Sequence, residues 1–100
     1  MEYPFTVVFK GIIGDIFHEN DTLIKFKIYN SIKRNSHNTV VHEINITCFR
    51  SELFDTITNN VGEFCTIYGY LKYTTHKKGD TWYSGNQVFL QDIRVLNLFS

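Results

Sequence analysis

Several features that mark common classes of protein are missing from this sequence of 100 residues. No apolar run is long enough to span a bilayer, so a transmembrane helix is not expected. The first residues, MEYPFTVV, lack a basic segment followed by a long apolar stretch, so we expect no secretory signal peptide. These absences predict a cytoplasmic protein. Ten basic residues balance ten acidic ones, so attraction to an anionic partner has to come from local clusters of charge.

Cysteine is scarce, and metal-binding or catalytic patterns are missing as well. Cys48 and Cys65 are the two cysteines, and both lie in apolar stretches, so we expect buried, reduced thiols. The four histidines are scattered, without the spacing of a zinc site. No glycine-rich phosphate loop occurs, and no Ser, His and Asp residues have the context of a catalytic triad. The sequence therefore predicts a protein that is not an enzyme and has no cofactor or metal.

Alternation of apolar and polar residues is the dominant pattern that is present. It predicts five β-strands, at residues 5–13, 22–30, 40–49, 64–73 and 82–96, the last interrupted at 84–86. Four apolar residues at helical spacing predict a helix over residues 51–62, between the third and fourth strands. Lys78-Gly79-Asp80 is typical of a hairpin turn.

This order of elements, with one helix between the third and fourth of five strands, is that of the OB-fold, a small partly open barrel. A barrel also protects the edges of a sheet that is too small to expose them. We therefore predict an all-β protein with one short helix, built as a single OB-fold domain over residues 1–100.

Four stretches resemble bacterial single-stranded DNA-binding proteins. GEFCTIYGYLK at 62–72 resembles their pattern G-x-x-V-x-I-x-G-x-L-R, and VFLQDIRVL at 88–96 resembles their closing strand V-V-A-D-x-V-x-V-L. GIIG at 11–14 is similar to their first-strand G-x-L-G, and Cys48-Phe49 before the predicted helix is similar to their L-F-G-K-L-A segment. As a lone barrel, the chain also resembles the primosomal replication proteins of the same superfamily.

The resemblance implies binding of single-stranded DNA in replication or repair, as a homodimer or homotetramer, in a cellular or a mobile-element protein. It also implies replication proteins as further partners. The sequence departs from the family pattern E-W-H-R in the third strand, which here reads Val41-His42-Glu43-Ile44 and lacks the tryptophan. The glycine-rich tail with an acidic end, which recruits partners in the family, has no counterpart in NLFS at 97–100.

Aromatic and basic residues are interleaved in a way that suits single-stranded DNA, because exposed bases stack on rings and phosphates attract cations. The predicted binding residues come from the second strand and its loop, the end of the third strand, and the fourth strand with its hairpin: Lys25, Lys27, Tyr29, Lys33, Arg34, Phe49, Lys72, Tyr73, Lys77, Lys78 and Trp82. Tyr68 and Tyr70 are expected instead at a subunit contact or on the barrel exterior.

Two functions remain open at this stage. The first is sequence-tolerant binding of single-stranded DNA along a groove framed by strands two and three and the hairpin between strands four and five. The alternative is an OB-fold module that binds a protein of a replication complex through its tyrosine-rich face, with nucleic acid incidental. The balanced net charge and the missing third-strand tryptophan favour the alternative.

Overall fold

The computed structural model describes residues 5–33 and 39–96, and the alternating segments form five strands in it. These are β1 (Thr6–Glu19), β2 (Ile24–Lys33), β3 (Thr39–Cys48), β4 (Phe64–Lys78) and β5 (Thr81–Val95). A 3-10 turn (Ser51–Leu53) and a short helix, α1 (Phe54–Asn59), connect β3 to β4. The predicted all-β class and the predicted order of elements are confirmed. Among the described residues, no helix has the length and apolar character needed to cross a membrane.

The strands close into a barrel in the order β1-β2-β3-β5-β4. The first half of β1 pairs with β4 and its second half with β2, so this one strand joins the two sides of the barrel. Strands β3 and β5 run parallel and are joined by only two residue pairs, Ile46 with Val88 and Thr47 with Phe89. This closed five-stranded barrel with its single helix is the predicted OB-fold.

The core is formed by the side chains that alternate inward from every strand. In β2, Ile24, Phe26 and Ile28 are all buried, which confirms the predicted alternation. Helix α1 adds Ile57, which is fully buried in the same cluster. Burying an aliphatic or phenyl side chain stabilises the fold by about 1.5–3 kcal/mol, so the barrel interior is the main source of stability.

Strand β1 and the helix differ in length from the prediction, and β4 continues to Lys78, beyond its predicted end at residue 73. Strand β1 continues to Glu19 because register shifts on either side of Ile16 let the strand pass Gly14 and bend without ending. The helix is shorter than predicted, since residues 51–53 form a 3-10 turn and α1 has only six residues. Gly11 packs against the backbone of β2, where the carbonyl oxygen of Tyr29 leaves no room for a side chain.

Strands β4 and β5 extend beyond the barrel as a long two-stranded ribbon. The predicted interruption at 84–86 is wrong, because β5 is continuous from Thr81 to Val95. The predicted turn is confirmed, with Lys78 paired to Thr81 across Gly79 and Asp80. Gly79 has a φ of 63°, a conformation that glycine adopts without steric cost. We refer to residues 72–87 as the β4–β5 hairpin.

Candidate nucleic-acid interface

The outer faces of β2 and β3 carry the first pair of predicted lysines. Lys25 is paired with Thr47, and Lys27 with Asn45, so all four side chains project from the same side of the sheet. The Nζ atom of Lys27 lies 3.3 Å from Oε1 of Glu43. This ion pair offsets the charge of Lys27, so Lys25 is the stronger of the two candidates for a phosphate contact.

Tyr29 lies on the same strand but is engaged with β1. Its ring covers Gly14, where a methyl group would overlap the ring carbons. The residue is half-buried as a result. This contact favours packing over base stacking as the role of Tyr29.

Three aromatic rings form a continuous row across β3, β5 and β4. The ring centroids of Phe49 and Phe89 are 5.7 Å apart, those of Tyr70 and Phe89 are 5.3 Å apart, and both pairs are stacked with an interplanar angle of 20°. The row exists because Phe89 pairs with Tyr70 on one side and with Thr47, two residues before Phe49, on the other. We call Phe49, Phe89 and Tyr70 the aromatic row. Phe49 is 56% exposed, so this row presents an accessible ring to solvent.

Two hollows lie on the outer face, one on each side of the pairing of Thr47 with Phe89. One, of about 240 Å³, lies over the row itself and is also lined by Arg50, Leu90 and Gln91. The other, of about 210 Å³, lies over β2, β3 and β5 and is lined by Phe17, Lys25, Asn45, Thr47, Gln87 and Val88. Thr47 and Phe89 are paired neighbours, so the two hollows form one surface, which we call the outer groove. Lys72 pairs with Gln87 and therefore lies at its edge.

Arg50 joins the end of β3 to β5 beside the aromatic row. Its Nη1 atom donates a hydrogen bond of 2.7 Å to the carbonyl oxygen of Gln91, and its guanidinium also contacts the carboxylate of Glu52 at 2.7 Å. A hydrogen bond from its own backbone N–H, followed by that from Arg50, lowers the pKa of Glu52, which keeps the carboxylate ionised. Arg50 thus reinforces the short β3–β5 junction at the position where Phe49 leaves the strand.

The β4–β5 hairpin divides the remaining predicted residues between its two faces. Lys72 and Lys78 lie on the face that continues outward from Tyr70, because their strand positions have the same parity. Tyr73 and Lys77 alternate to the other face, and Trp82 joins them there because it pairs with Lys77. The Nζ atom of Lys77 lies 5.7 Å from the centroid of the Trp82 ring, a cation–π contact.

The structure therefore brings together Lys25, Phe49 and Lys72 at the outer groove. Lys27 lies on the same outer face, whereas Tyr73, Lys77 and Trp82 form a separate group. Lys33 is the last residue of β2, and Arg34 lies outside the described residues. The binding roles of all eleven residues stay predictions.

Most of the residues that line the outer groove were not predicted from the sequence, and the aromatic or charged ones among them are Phe17, Arg50, Tyr70 and Phe89. Strand alternation placed Tyr70 on the same face as Lys72, and this shared face is the sequence signal that indicates Tyr70 as a groove residue. Phe89 could be assigned only with the strand register, because its neighbours in the groove come from other strands. Tyr68 lies on the barrel exterior, as expected, with the guanidinium of Arg94 5.6 Å from its ring centroid.

The side chains near the outer groove are suited to binding by stacking and charge. Over residues 5–33 and 39–96, no three His, Cys, Asp or Glu side chains gather where they could hold a metal ion.

Cys48 and Cys65 are free and buried, as predicted. Burial raises the pKa of both thiols, that of Cys65 to about 11, so neither is a nucleophile at neutral pH.

Comparison with solved structures finds similar barrels in single-stranded DNA-binding proteins. The SSB of Plasmodium falciparum, solved in complex with single-stranded DNA, has a TM-score of 0.67 and 15% identity, over 97% of this chain and 98% of that one. The mitochondrial protein Rim1 of S. cerevisiae has a TM-score of 0.70 and 18% identity, over 92% and 94%. The small single-stranded DNA-binding protein of Streptomyces coelicolor has a TM-score of 0.62 and 12% identity, over 93% and 94%.

No protein-family model matches the sequence, and no curated protein matches it either. The structural similarity covers nearly the whole length of both chains in each pair. At these identities the comparison is informative about the fold. The chain therefore has the OB-fold of single-stranded DNA-binding proteins.

Proposed function

We propose that this protein binds single-stranded DNA along the outer groove with little sequence preference. The observation that carries the proposal is the aromatic row of Phe49, Phe89 and Tyr70, with Lys25 and Lys72 close to it on the same outer surface. A ring stacks on any base, since every base has a π-face, and a lysine contacts any phosphate. Such a surface binds the strand by features that all sequences share.

The similar structures support this proposal because their barrels correspond to this one over almost its full length, and one of them was solved with single-stranded DNA. We further propose that the protein acts without catalysis or a cofactor, as a single domain over residues 1–100, in replication or repair. Its proposed location is the cytoplasm. Replication proteins are proposed as its further partners.

Titration of a fluorescent oligothymidylate, followed by anisotropy, tests the proposed function. We expect binding at low salt that weakens as salt rises, with a logarithmic slope of about −0.7 for each phosphate neutralised. Duplex DNA of the same length should bind more weakly, because its bases cannot stack on the aromatic row. Absence of binding to the single strand at low salt would overturn the proposal.

Charge reversal at the groove provides a matched test. Lys25→Glu combined with Lys72→Glu should abolish most of the binding and leave the oligomeric state unchanged. Lys10→Glu is the control for total charge, compared with Lys25→Glu and Lys72→Glu taken singly, because Lys10 is an exposed lysine of β1 that pairs with Thr66, away from the groove. Lys10 lies between Val8 and Ile12 on the outer face of β1, so light scattering has to show that this variant keeps the oligomeric state of the parent chain. Equal losses in Lys10→Glu and in the single groove variants would show that binding depends on total charge and not on this surface.

We also propose that the chain assembles as a homodimer or homotetramer through the outer face of β1 and β4. Val8 pairs with Tyr68, and Ile12 pairs with Phe64, so apolar side chains are adjacent on this face. Val8 is 59% exposed and Ile12 is 45% exposed, on either side of Lys10, and a partner subunit on this face would cover both.

Light scattering after size exclusion tests the assembly. We expect an oligomer that dissociates in the Val8→Asp, Ile12→Asp variant, and a monomeric parent chain would contradict it. The same exposed face favours the second candidate function, a protein-interaction module with incidental nucleic-acid binding. If that candidate is correct, the variants Lys25→Glu and Lys72→Glu will leave partner binding intact.

A further inference from the structure

The face of the β4–β5 hairpin that carries Tyr73, Lys77 and Trp82 is separate from the outer groove. Successive side chains of a strand point to opposite faces, so Tyr73 points away from the side on which Lys72 lies. The register then assigns the whole hairpin, with Lys77 opposite Trp82 and Tyr73 opposite Asn86. We call Tyr73, Lys77 and Trp82 the distal face.

The rings of the distal face are among the most exposed in the described part of the chain. Trp82 is 68% exposed and Tyr73 is 63% exposed, although a large ring normally loses water contact when a protein folds. These rings add little to the stability of the barrel, because the core lies beyond the root of the hairpin. Their exposure is therefore better explained by a ligand than by packing.

The charge and polarity of the distal face indicate the class of that ligand. Thr75 is a further described residue that the register assigns to this face, so its described side chains are a cation, two large rings and a hydroxyl group, with no carboxylate and no aliphatic side chain among them. An ammonium beside an exposed indole matches a phosphate next to a base.

We propose that the distal face is a second surface for single-stranded nucleic acid, which lets one protomer hold two strand segments at once. The proposal rests on the proposed function, since the first segment occupies the outer groove. The hairpin separates the two segments, because a nucleotide stacked on the aromatic row lies on the Lys72 side of the ribbon and cannot reach Trp82 at the same time. Each protomer can therefore bridge two strands or two distant parts of one strand.

Native mass spectrometry with a short oligothymidylate, of about six nucleotides, tests the proposal because it counts strands per protomer. We expect two strands on each parent protomer. The double variant Lys77→Ser, Trp82→Ala should weaken the second binding event at least tenfold and leave the first within about twofold. Lys10→Ser is the charge control, because it removes an equal charge from an exposed residue of β1 that belongs to neither surface, and it should still bind two strands.

The possible results separate the two proposals. One strand on the parent protomer, or two strands retained by the Lys77→Ser, Trp82→Ala variant, would overturn the second surface and leave the first intact. Loss of both binding events in this variant would also overturn it, because the two surfaces would then not be independent. No strand on the parent protomer at low salt would overturn the proposed function itself. A thermal melt of each variant, unchanged from the parent, would show that the barrel remains folded.

Discussion

At the scale of single residues, Phe49 is the ring on which the proposed stacking can be tested most directly. It is 56% exposed and contacts Phe89, so its truncation leaves the core unchanged. We expect Phe49→Ala to weaken binding of oligothymidylate about 5- to 150-fold, since stacking contributes about 1–3 kcal/mol for each base. Phe49→Leu should lose affinity almost as much because it keeps the apolar volume and lacks the flat face. Phe49→Tyr should bind oligothymidylate as tightly as the parent chain, because it keeps a flat ring. Equal affinities of the leucine and tyrosine variants would exclude stacking.

The ion pair between Lys27 and Glu43 leads to a second prediction at this scale. Glu43 offsets the charge of Lys27, so Glu43→Gln should free Lys27 for a phosphate. We expect affinity at low salt to rise by up to about fivefold, because an exposed ion pair contributes up to about 1 kcal/mol. The slope of affinity against salt should steepen by about 0.7 in titrations at several salt concentrations.

The control for that prediction is the same change in a chain that carries Lys27→Gln. In that chain, Glu43→Gln has no lysine to release. The slope of affinity against salt should therefore be the same in the Lys27→Gln variant and in the Lys27→Gln, Glu43→Gln variant. An equal gain in both backgrounds would mean that Glu43 acts by general repulsion of the DNA. The sequence contains both residues, but their contact depends on the register of β2 and β3, which no local pattern reveals.

At the scale of the secondary-structure elements, the parallel junction of β3 and β5 is the shortest pairing in the barrel. Arg50 reinforces it with its hydrogen bond to Gln91. We expect Arg50→Ala to lower the free energy of unfolding in urea by about 1 kcal/mol, below the range for buried charged hydrogen bonds because the site is partly exposed. The same variant should weaken DNA binding, since the end of β3 positions Phe49.

Glu52→Gln is the control for the junction. It removes the ion pair with Arg50 and keeps the hydrogen bond from Arg50 to Gln91. We expect a change below about 0.5 kcal/mol in the free energy of unfolding, as for most exposed ion pairs. If Glu52→Gln were as destabilising as Arg50→Ala, the ion pair and not the junction would be the stabilising contact.

The strands could be predicted from the sequence where one face is buried, and less well elsewhere. In β2 the core selects Ile24, Phe26 and Ile28 on one side, so the pattern itself shows which lysines point outward. Bulges around Ile16 shift the alternation in β1, and the end of that strand was missed for this reason. The predicted fourth strand ends at residue 73 and places Lys77 in a loop, whereas β4 continues to Lys78, so the sequence did not show that Lys72 and Lys77 lie on opposite faces of one strand.

At the scale of the whole molecule, the groove combines residues from all five strands, and this explains why its composition was only partly predicted. Lys25 and Phe49 each stand out locally, as a cation or a ring at an outward position. Phe89 and Tyr70 become part of the same row only when the barrel closes and β5 lies between β3 and β4. A balanced net charge is compatible with such a site because the cations are placed by the topology and not by overall composition.

The stability of the whole barrel should depend on alkaline pH through Cys65. Burial raises the pKa of this thiol to about 11 from an ordinary value of 9.0. Below pH 9 the thiol is protonated in both the folded and the unfolded chain. Above it the unfolded chain loses its proton first, so the free energy of unfolding falls as the pH rises toward 11. By pH 10.5 this contribution should amount to a loss of about 2 kcal/mol.

Urea unfolding of the parent chain and of Cys65→Val, at pH 8 and at pH 10.5, isolates this effect. Valine fills a similar volume within a strand and does not titrate, so the two chains share every other alkaline titration, including those of their tyrosines and lysines. The parent should lose about 2 kcal/mol more than the variant between the two pH values. Equal losses would mean that the Cys65 thiol titrates alike in the folded and unfolded chains, which contradicts its full burial in the core of the barrel.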